Sequence, residues 1–414
     1  MHDVIVIGGG PAGSAAATFL AKGGKRVLVL EKEVFPRFHI GESLLPYNRS
    51  IFAEMGVLPD LEAAGFPRKR GAQFHTGTGN HSLFFVFSQG RFTREHEAFQ
   101  VERAVFDDIL LKHARKVGAE VREGWSVSKV EEGEGAVRVH VTDPQGQRSV
   151  LESAYVVDAS GRGNLTGNQE GLRVAHPNLR KLAVFGHFRN VKLDEGSPGG
   201  DTIIVRLANR WFWIIPISKE KTSVGVVMDA AEFARLKQEP SVLFESIWRK
   251  SPPLIARMKD AELVGSIQTT SDFSYRNRTF FSNRVLRAGD AAGFLDPIFS
   301  SGVYLAMFSG KLAAESILAV MASPSRRASV FQRYEKRVRA GLDFYWEMVE
   351  HFYTRPFLEI FFQPRERFQL ASAVNAALAG ELHGGWKIAW RMRLFFLLVK
   401  AQARWRFNRP MRLE

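Results

Sequence analysis

Apolar and polar positions change period several times along this chain, and the changes mark its elements. Asp3 to Ile7 is a short run rich in β-branched residues, the pattern of a strand buried on both faces. A glycine-rich turn follows, then the helix-forming run Ser14 to Lys22, then a second apolar run, Arg26 to Leu30, closing on Glu31. Two later segments repeat the passage from strand to turn: Val156-Val157-Asp158-Ala159-Ser160-Gly161 and Val285-Leu286-Arg287-Ala288-Gly289-Asp290-Ala291-Ala292-Gly293. Phe106 to Val117 carries helical spacing. Ser82 to Phe87, Gly135 to Thr142, Thr202 to Leu207 and Ser223 to Met228 read as strands separated by turn residues. This alternation predicts an α/β protein with mixed strands. From about residue 343 the pattern becomes helical and aromatic, with Phe344, Tyr345, Trp346, Phe352, Tyr353, Phe357, Phe361 and Phe362. Pro356 and Pro364 are expected to break or kink it. No internal repeat and no low-complexity linker interrupts the chain.

Gly8-Gly9-Gly10-Pro11-Ala12-Gly13 has the spacing G-x-G-x-x-G, and its place between strand and helix gives each glycine a physical task. Gly8 permits the tight turn, Gly10 lets a pyrophosphate approach the backbone, and Gly13 lets helix and strand pack closely. The helix start around Ala12 and Gly13 then faces the phosphates, and Glu31 is placed to accept hydrogen bonds from ribose hydroxyls. These residues predict a Rossmann-type dinucleotide site. No second fingerprint of this kind occurs, so no stable NAD(P)H site is expected.

Composition changes this picture at three points. Cysteine is absent from the 414 residues, which excludes disulfides, thiolate metal sites, cysteine nucleophiles and cysteine-linked cofactors. No metal site is expected. The first apolar run leads straight into the glycine turn, and the sequence has no run of 18 or more apolar residues; a cytoplasmic protein without a spanning helix is therefore expected. The net charge of +14 suits nucleic acid, anionic lipid or an acidic protein. No nucleic-acid module is recognisable, so nucleic acid is not an expected partner. Much of the excess sits between Lys387 and Arg412, where Trp390, Phe395, Phe396, Leu397, Leu398 and Trp405 are mixed with Arg391, Arg393, Lys400, Arg404, Arg406 and Arg409, with no acid before Glu414. Three readings stand for this stretch: a helix on an anionic membrane, a dock for an acidic acyl carrier protein, or an aromatic face packed on the core with solvated arginines.

The strand-to-turn segments after the first resemble those of the FAD-dependent hydroxylase and halogenase superfamily, which implies FAD as the dinucleotide. In that resemblance Asp158 belongs to the second turn of the cofactor site. Asp290, after Gly289, holds a ribityl hydroxyl. Arg103, in Val101-Glu102-Arg103, reaches the flavin phosphates or ribityl chain, and a surface cation at a helix start is its plainer reading. Over roughly residues 1 to 330 the chain is similar to the flavin-dependent halogenases of the phenol- and pyrrole-directed branch. Three stretches carry the likeness: Pro36-Arg37-Phe38-His39-Ile40-Gly41-Glu42-Ser43-Leu44-Leu45-Pro46; Trp211-Phe212-Trp213-Ile214-Ile215-Pro216, matching W-x-W-x-I-P; and Phe294-Leu295-Asp296-Pro297-Ile298-Phe299-Ser300-Ser301-Gly302, matching F-x-x-P-x-x-S-x-G. Alternating Trp211 and Trp213 would equally suit a half-buried sheet face.

The resemblance implies a monooxygenase-like FAD-dependent oxidoreductase. Non-covalent FAD would be used as FADH2 from a separate flavin reductase, and a C4a-hydroperoxide would convert chloride or bromide to hypohalous acid. Ser300, Trp211 and Trp213 would lie at the reacting centre, with Pro297 and Gly302 against the flavin. Halide would rest on backbone N–H groups near Ser301 and Gly302, since a turn of this kind makes an anion nest. Lys69, in Phe66-Pro67-Arg68-Lys69-Arg70-Gly71-Ala72-Gln73-Phe74, is the candidate to convey hypohalous acid, its pKa lowered by burial. A solvated basic turn is the alternative there. Tryptophan-directed relatives carry glutamate where this chain has Phe299, so the expected substrate is a small electron-rich phenol or pyrrole, free or tethered to an acyl carrier protein. Glu42 reads equally as a base or as a structural carboxylate at a helix start. The competing functions are a geranylgeranyl-reductase-type dehydrogenase for a long apolar substrate, or a hydroxylase.

The expected architecture is a Rossmann-type FAD-binding domain from residues 1–170 and 270–330, with 46–95 contributing to the substrate side. An inserted mixed β-sheet would span 171–270, and a helical, aromatic, basic region 331–414.

Overall fold

The parallel strands His2–Ile7 and Val27–Glu31 are joined by the helix Pro11–Lys22. Arg148–Asp158 lies on the far side of the first strand, in register from His2 with Ser153 to Ile7 with Asp158. Glu120–Glu123 extends the sheet beyond Val27–Glu31, and Val285–Arg287 pairs in parallel with the end of Arg148–Asp158. This is the strand order of a Rossmann-type half. The runs are apolar without alternation because both faces are covered. Val4, Val6, Val27 and Val29 join the main core, whereas Ile5, Ile7, Leu28 and Leu30 pack with Val130, Val137, Val139 and Val141 of an antiparallel hairpin. The computed structural model describes residues 2–363, 367–382 and 385–414. Pro364, and the kink expected there, lies outside the described residues.

A second sheet of eight strands runs in the order Gly293–Phe294, Glu262–Asn277, Arg173–Arg189, Thr222–Asp229, Trp211–Pro216, Thr202–Arg206, Gly71–Thr76 and Ser82–Val86. It reaches beyond the expected span of 171–270 at both ends, because a strand from the 46–95 region pairs in parallel with Thr202–Arg206. Alternation along Trp211–Pro216 divides its side chains between two cores. Trp211, Trp213 and Ile215 face the core shared with the nucleotide-binding half. Phe212 and Ile214 meet Leu243, Phe244 and Leu254 from the helices Pro240–Trp248 and Pro252–Met258. The sheet is therefore buried on both sides here, where a half-buried face was one reading.

Helix Gly302–Ala322 packs along Pro11–Lys22, and the approach is closest at Gly310, where a Cβ would lie 2.2 Å from the Ala12 carbonyl oxygen. It is long and apolar enough to cross a membrane by length and composition. The sequence reading missed this because Lys311 and Glu315 interrupt the apolar run. In the fold it is a core helix, with Tyr304, Met307, Ala313 and Ile317 fully buried.

The C-terminal helices are Arg327–Phe352, Arg355–Phe361, Leu370–Leu378 and Trp386–Trp405. Pro356 sits in the first turn of the second of these, where its missing N–H has no intrahelical partner to lose, so it starts a helix after the break at Tyr353–Thr354. Phe331, Tyr345, Phe352, Phe357 and Phe361 belong to the main core, so this region is an integral part of the molecule.

Candidate active site

The glycine turn divides into positions demanded by packing and positions left open. A Cβ on Gly8 (φ +100°) would lie 2.4 Å from the Ala159 carbonyl oxygen, and one on Gly13 only 1.8 Å from that of Gly8. At Gly10 the nearest obstacle is Arg37 Nη2, 3.7 Å away. The protein thus fills the space around Gly8 and Gly13 and leaves it free beside Gly10, as an approaching pyrophosphate requires. The following helix has no side-chain N-cap, and the N–H groups of Ala12 and Gly13 stand in its uncapped first turn. Glu31 is buried beside the turn, its Oε2 accepting from the Gly9 N–H at 2.6 Å and its Oε1 from the Glu33 N–H at 2.9 Å. These residues fit the adenosine diphosphate half of FAD.

Asp290 follows Gly289, whose backbone N–H donates to Ser309 Oγ at 2.8 Å. Burial raises the Asp290 pKa to about 6 against the pull of Arg162 and Arg103. The expected cofactor role does not hold for the Asp158 side chain. The Asp158 carboxylate is fully buried and already engaged, accepting from Ser160 N at 3.0 Å, Thr166 N at 2.9 Å and Thr166 Oγ1 at 2.6 Å. It ties the turn after its strand to helix Leu165–Gln169 and has no face open to a ligand. Arg103 is the first residue of helix Arg103–Lys116, yet it is buried, which also removes the surface-cation reading. Its Nε and Nη2 form a fork on the two Asp107 oxygens at 2.8 Å each, and its Nη1 donates to the carbonyls of Ile40 and Gly41. Burial opposes its charge, and Asp107, followed by Asp290 and Glu42, more than offsets this and raises its pKa. Arg103 therefore fixes the Gly41-Glu42-Ser43 segment in place, and it lies within electrostatic reach of Asp290.

That segment is not a helix start; the next helix begins at Asn48. It is zipped to its neighbour by the Val101 N–H to the Glu42 carbonyl and the Leu44 N–H to the Phe99 carbonyl. Glu42 is buried with Oε1 2.7 Å from His187 Nε2, and its Oε2 has no hydrogen-bond partner among the described residues. On the other side Arg68–Lys69 pairs with Ala98–Phe99. This brings the Lys69 ammonium to 2.9 Å from Ser43 Oγ and 3.1 Å from the Leu44 carbonyl oxygen, with Lys69 only 2% exposed. Burial lowers its pKa to about 7, with the Asp201 carboxylate acting the other way. Arg68 and Arg70 point outward and pair with Glu62 and Glu97. The alternation of a strand thus separates Lys69 from its solvated neighbours, and the basic-turn reading does not apply to it.

The two remaining motifs meet through a tail residue that sequence reasoning did not single out as a site. Trp211 Nε1 donates to the Tyr353 hydroxyl at 2.8 Å, which in turn donates to Asp296 Oδ2 at 2.7 Å. Asp296 Oδ1 accepts from the Ile298 N–H at the start of the 297–299 turn. Trp213 Nε1 donates to Ser223 Oγ at 3.0 Å. Both indoles are buried with their donors engaged, so they wall and brace the site and present no free polar group. Beyond the turn Ser300 adopts a left-handed conformation (φ +56°), Ser301 is buried, and Gly302 opens helix Gly302–Ala322, which has no side-chain cap. Pro297 and Gly302 are exposed among buried neighbours, and a Cβ on Gly302 would meet no atom within 4 Å. Ser43, Asp201, His187, Asp296 and Tyr353 were all missed as site residues. Their signal is long-range proximity, which only a fold supplies.

Residues 1–350 match the family model described as an FAD binding domain. The 1H-pyrrole-2-carbonyl-[peptidyl-carrier protein] chlorinase of Pseudomonas fluorescens is 33% identical over 408 residues, spanning 93% of this chain and 90% of that protein. The corresponding brominase of Pseudoalteromonas luteoviolacea is 32% identical, with 86% of each chain covered. Among solved structures, the myxobacterial chondrochloren halogenase CndH superposes with a TM-score of 0.79 at 35% identity, covering 84% of this chain and 81% of CndH. These likenesses support the halogenase reading over the reductase alternative. With a flavin fold, cofactor turns that fit FAD and relatives of this kind, the chain belongs to the flavin-dependent halogenases, a family of FAD-dependent enzymes.

Proposed function

We propose that this halogenase acts on a phenol or pyrrole carried as a thioester on an acyl carrier protein, with FADH2 supplied by a separate flavin reductase. The observation that carries the proposal is the buried Lys69 amine, held by Ser43 and Leu44 with its pKa drawn down to about 7. Gly8, Gly10, Ala12, Gly13, Glu31, Gly289 and Asp290 would hold the FAD, and Pro297 and Gly302 would lie against its reactive ring. Bound in reduced form, the cofactor supplies the two electrons with which dioxygen oxidises chloride or bromide to hypohalous acid, releasing one water. The N–H groups at Ser301 and Gly302, in the left-handed turn after Ser300, receive the halide. Lys69 donates a hydrogen bond to the hypohalous oxygen, which makes the halogen more electrophilic and lets the oxygen depart as water when the ring attacks. The ring loses its proton as the carbon–halogen bond forms.

An aromatic activated by its own hydroxyl or ring nitrogen is consistent with Phe299, which puts no carboxylate beside Ser300. Carrier presentation is consistent with the two relatives named for pyrrole-carrier substrates. The test supplies the enzyme, a flavin reductase and chloride or bromide with pyrrolyl- and hydroxyaryl-loaded carrier protein, and with the same acids free. Mass spectrometry should find one halogen added to a carrier-bound ring. Halogenation of the free acids alone would overturn the carrier reading, and FADH2 oxidation without any halogenated ring would overturn the substrate class.

A further inference from the structure

Helix Trp386–Trp405 has two apolar faces, and the core accounts for only one. Ile388, Met392, Phe395, Phe396 and Val399 are buried against the rest of the molecule. Facing outward are Trp386 at 73% exposure, Leu397 at 60% and Trp405 at 70%. Trp386 and Leu397 are three turns apart and share one side, and the tryptophans stand ~28 Å apart at a rise of 1.5 Å per residue. Among the described residues, four of the six exposed large aromatic side chains are Phe368, Trp386, Trp405 and Phe407.

The charges between these side chains have one sign. Lys387, Arg393, Lys400 and Arg404 lie on the exposed side, and Arg406 and Arg409 follow the helix. Among the described residues, Lys387, Arg393, Arg404, Arg406 and Arg409 make no ion pair, and Lys400 comes no nearer than 4.0 Å to Glu347. The chain carries no acid from Lys387 to Leu413. Beside the helix a cavity of about 190 Å³ is lined by Phe361, Phe368, Leu394, Phe395, Leu398 and Phe407, and two of these, Phe368 and Phe407, are themselves exposed at its margin. An apolar cavity, exposed tryptophans at both ends of a helix and a row of cations of which only Lys400 has an acidic neighbour suit one environment: a bilayer interface with anionic headgroups.

We propose that this face of the C-terminal helix binds the surface of an anionic membrane, with headgroups on Arg393 and Arg404, and with Trp386, Leu397 and Trp405 in the interfacial layer. The cavity beside Leu394 and Leu398 accepts part of an acyl chain. An acidic carrier protein would use the same cations but would leave the tryptophans and the cavity without a role.

The test is sedimentation of the FAD-loaded enzyme with vesicles of phosphatidylglycerol and phosphatidylcholine, or of phosphatidylcholine alone, at low and high salt. Tryptophan quenching by brominated lipids is read in parallel. Binding should require the anionic lipid and weaken with salt. Arg393→Glu with Arg404→Glu should weaken it roughly twentyfold or more, at about fivefold per cation removed. Trp386→Ser with Trp405→Ser should also weaken binding and abolish the quenching, with FAD content and turnover of a soluble substrate unchanged. Equal sedimentation with both vesicle types, or binding indifferent to the tryptophan pair, overturns the proposal. So does failure to bind vesicles combined with capture of an acidic carrier protein that the arginine pair abolishes.

Discussion

The Lys69 ammonium donates to the Ser43 hydroxyl at 2.9 Å, and Ser43 Oγ lies 2.7 Å from Thr202 Oγ1. Three segments far apart in sequence thus converge on one buried amine. Ser43 comes from the segment anchored by Arg103, Lys69 from a two-residue strand, and Thr202 from the start of a strand in the second sheet.

Replacing Lys69 should separate its chemical from its structural effect. The unfolded chain holds the lysine proton up to its ordinary pKa of 10.5, whereas the folded chain releases it above about 7. The cost of the buried charge is therefore full below pH 7 and fades as pH rises toward 10.5. Lys69→Met should raise stability at pH 6 by roughly 1–3 kcal/mol and hardly at all near pH 10, as read from denaturant unfolding at the two values. The same variant should lose ~10²–10⁴-fold in halogenation while retaining FAD. Undiminished product yield would remove Lys69 from the reaction.

The two fingerprint glycines should fail in different ways. Gly13→Ala drives a methyl into the Gly8 carbonyl and should destabilise the apoprotein, by ~2–4 kcal/mol. Gly10→Ala meets only the end of Arg37 and should leave the apoprotein melting temperature unchanged, while FAD affinity falls about tenfold or more as the methyl enters the phosphate space. Calorimetry of the apoproteins and FAD titration distinguish the two, and equal apoprotein destabilisation would contradict the assignment.

Tyr353→Phe removes one hydroxyl from between two buried groups. Trp211 Nε1 loses its acceptor and Asp296 Oδ2 loses its donor. Stability should fall by roughly 2–3 kcal/mol. Because Asp296 also holds the Ile298 N–H, the KM for halide should rise more than kcat falls. A variant with unaltered halide dependence would show that the turn keeps its shape without Tyr353.

FAD binding should titrate through Asp290. Burial raises its pKa to about 6, so the carboxylate that would accept a ribityl hydroxyl is lost to protonation as pH drops below that value. The FAD dissociation constant should therefore increase on going from pH 7 to pH 5. Asp290→Asn should bind more weakly at pH 7 and show a flatter dependence, and an unchanged slope in fluorescence titrations would place the pH response elsewhere.

Local order was legible in the chain itself. The strand, glycine turn, helix and acid of residues 3–31 all form, within one to three residues of the expected boundaries. They are readable because short-range sterics and a single buried strand pair dictate them. The motifs around Trp211 and Ser300 likewise announced a halogenase, since they are contiguous in sequence. Only the tertiary structure decided what each polar side chain does. Asp158 has the residue type and position of a cofactor ligand, but Ser160 and Thr166 take up its carboxylate, and Arg103 spends most of its donors on Asp107 and two carbonyls. Lys69 is set apart from its basic neighbours in the sequence only by family resemblance, and it is buried because the Ser43 segment and the Ala98–Phe99 strand close over it while Arg68 and Arg70 remain at the surface. The role of Tyr353 depends on a contact spanning 142 residues to Trp211. Sequence periodicity carries nearest-neighbour geometry and the identity of faces, whereas desolvation, and with it pKa and hydrogen-bond partnership, depends on which distant segments close over a group.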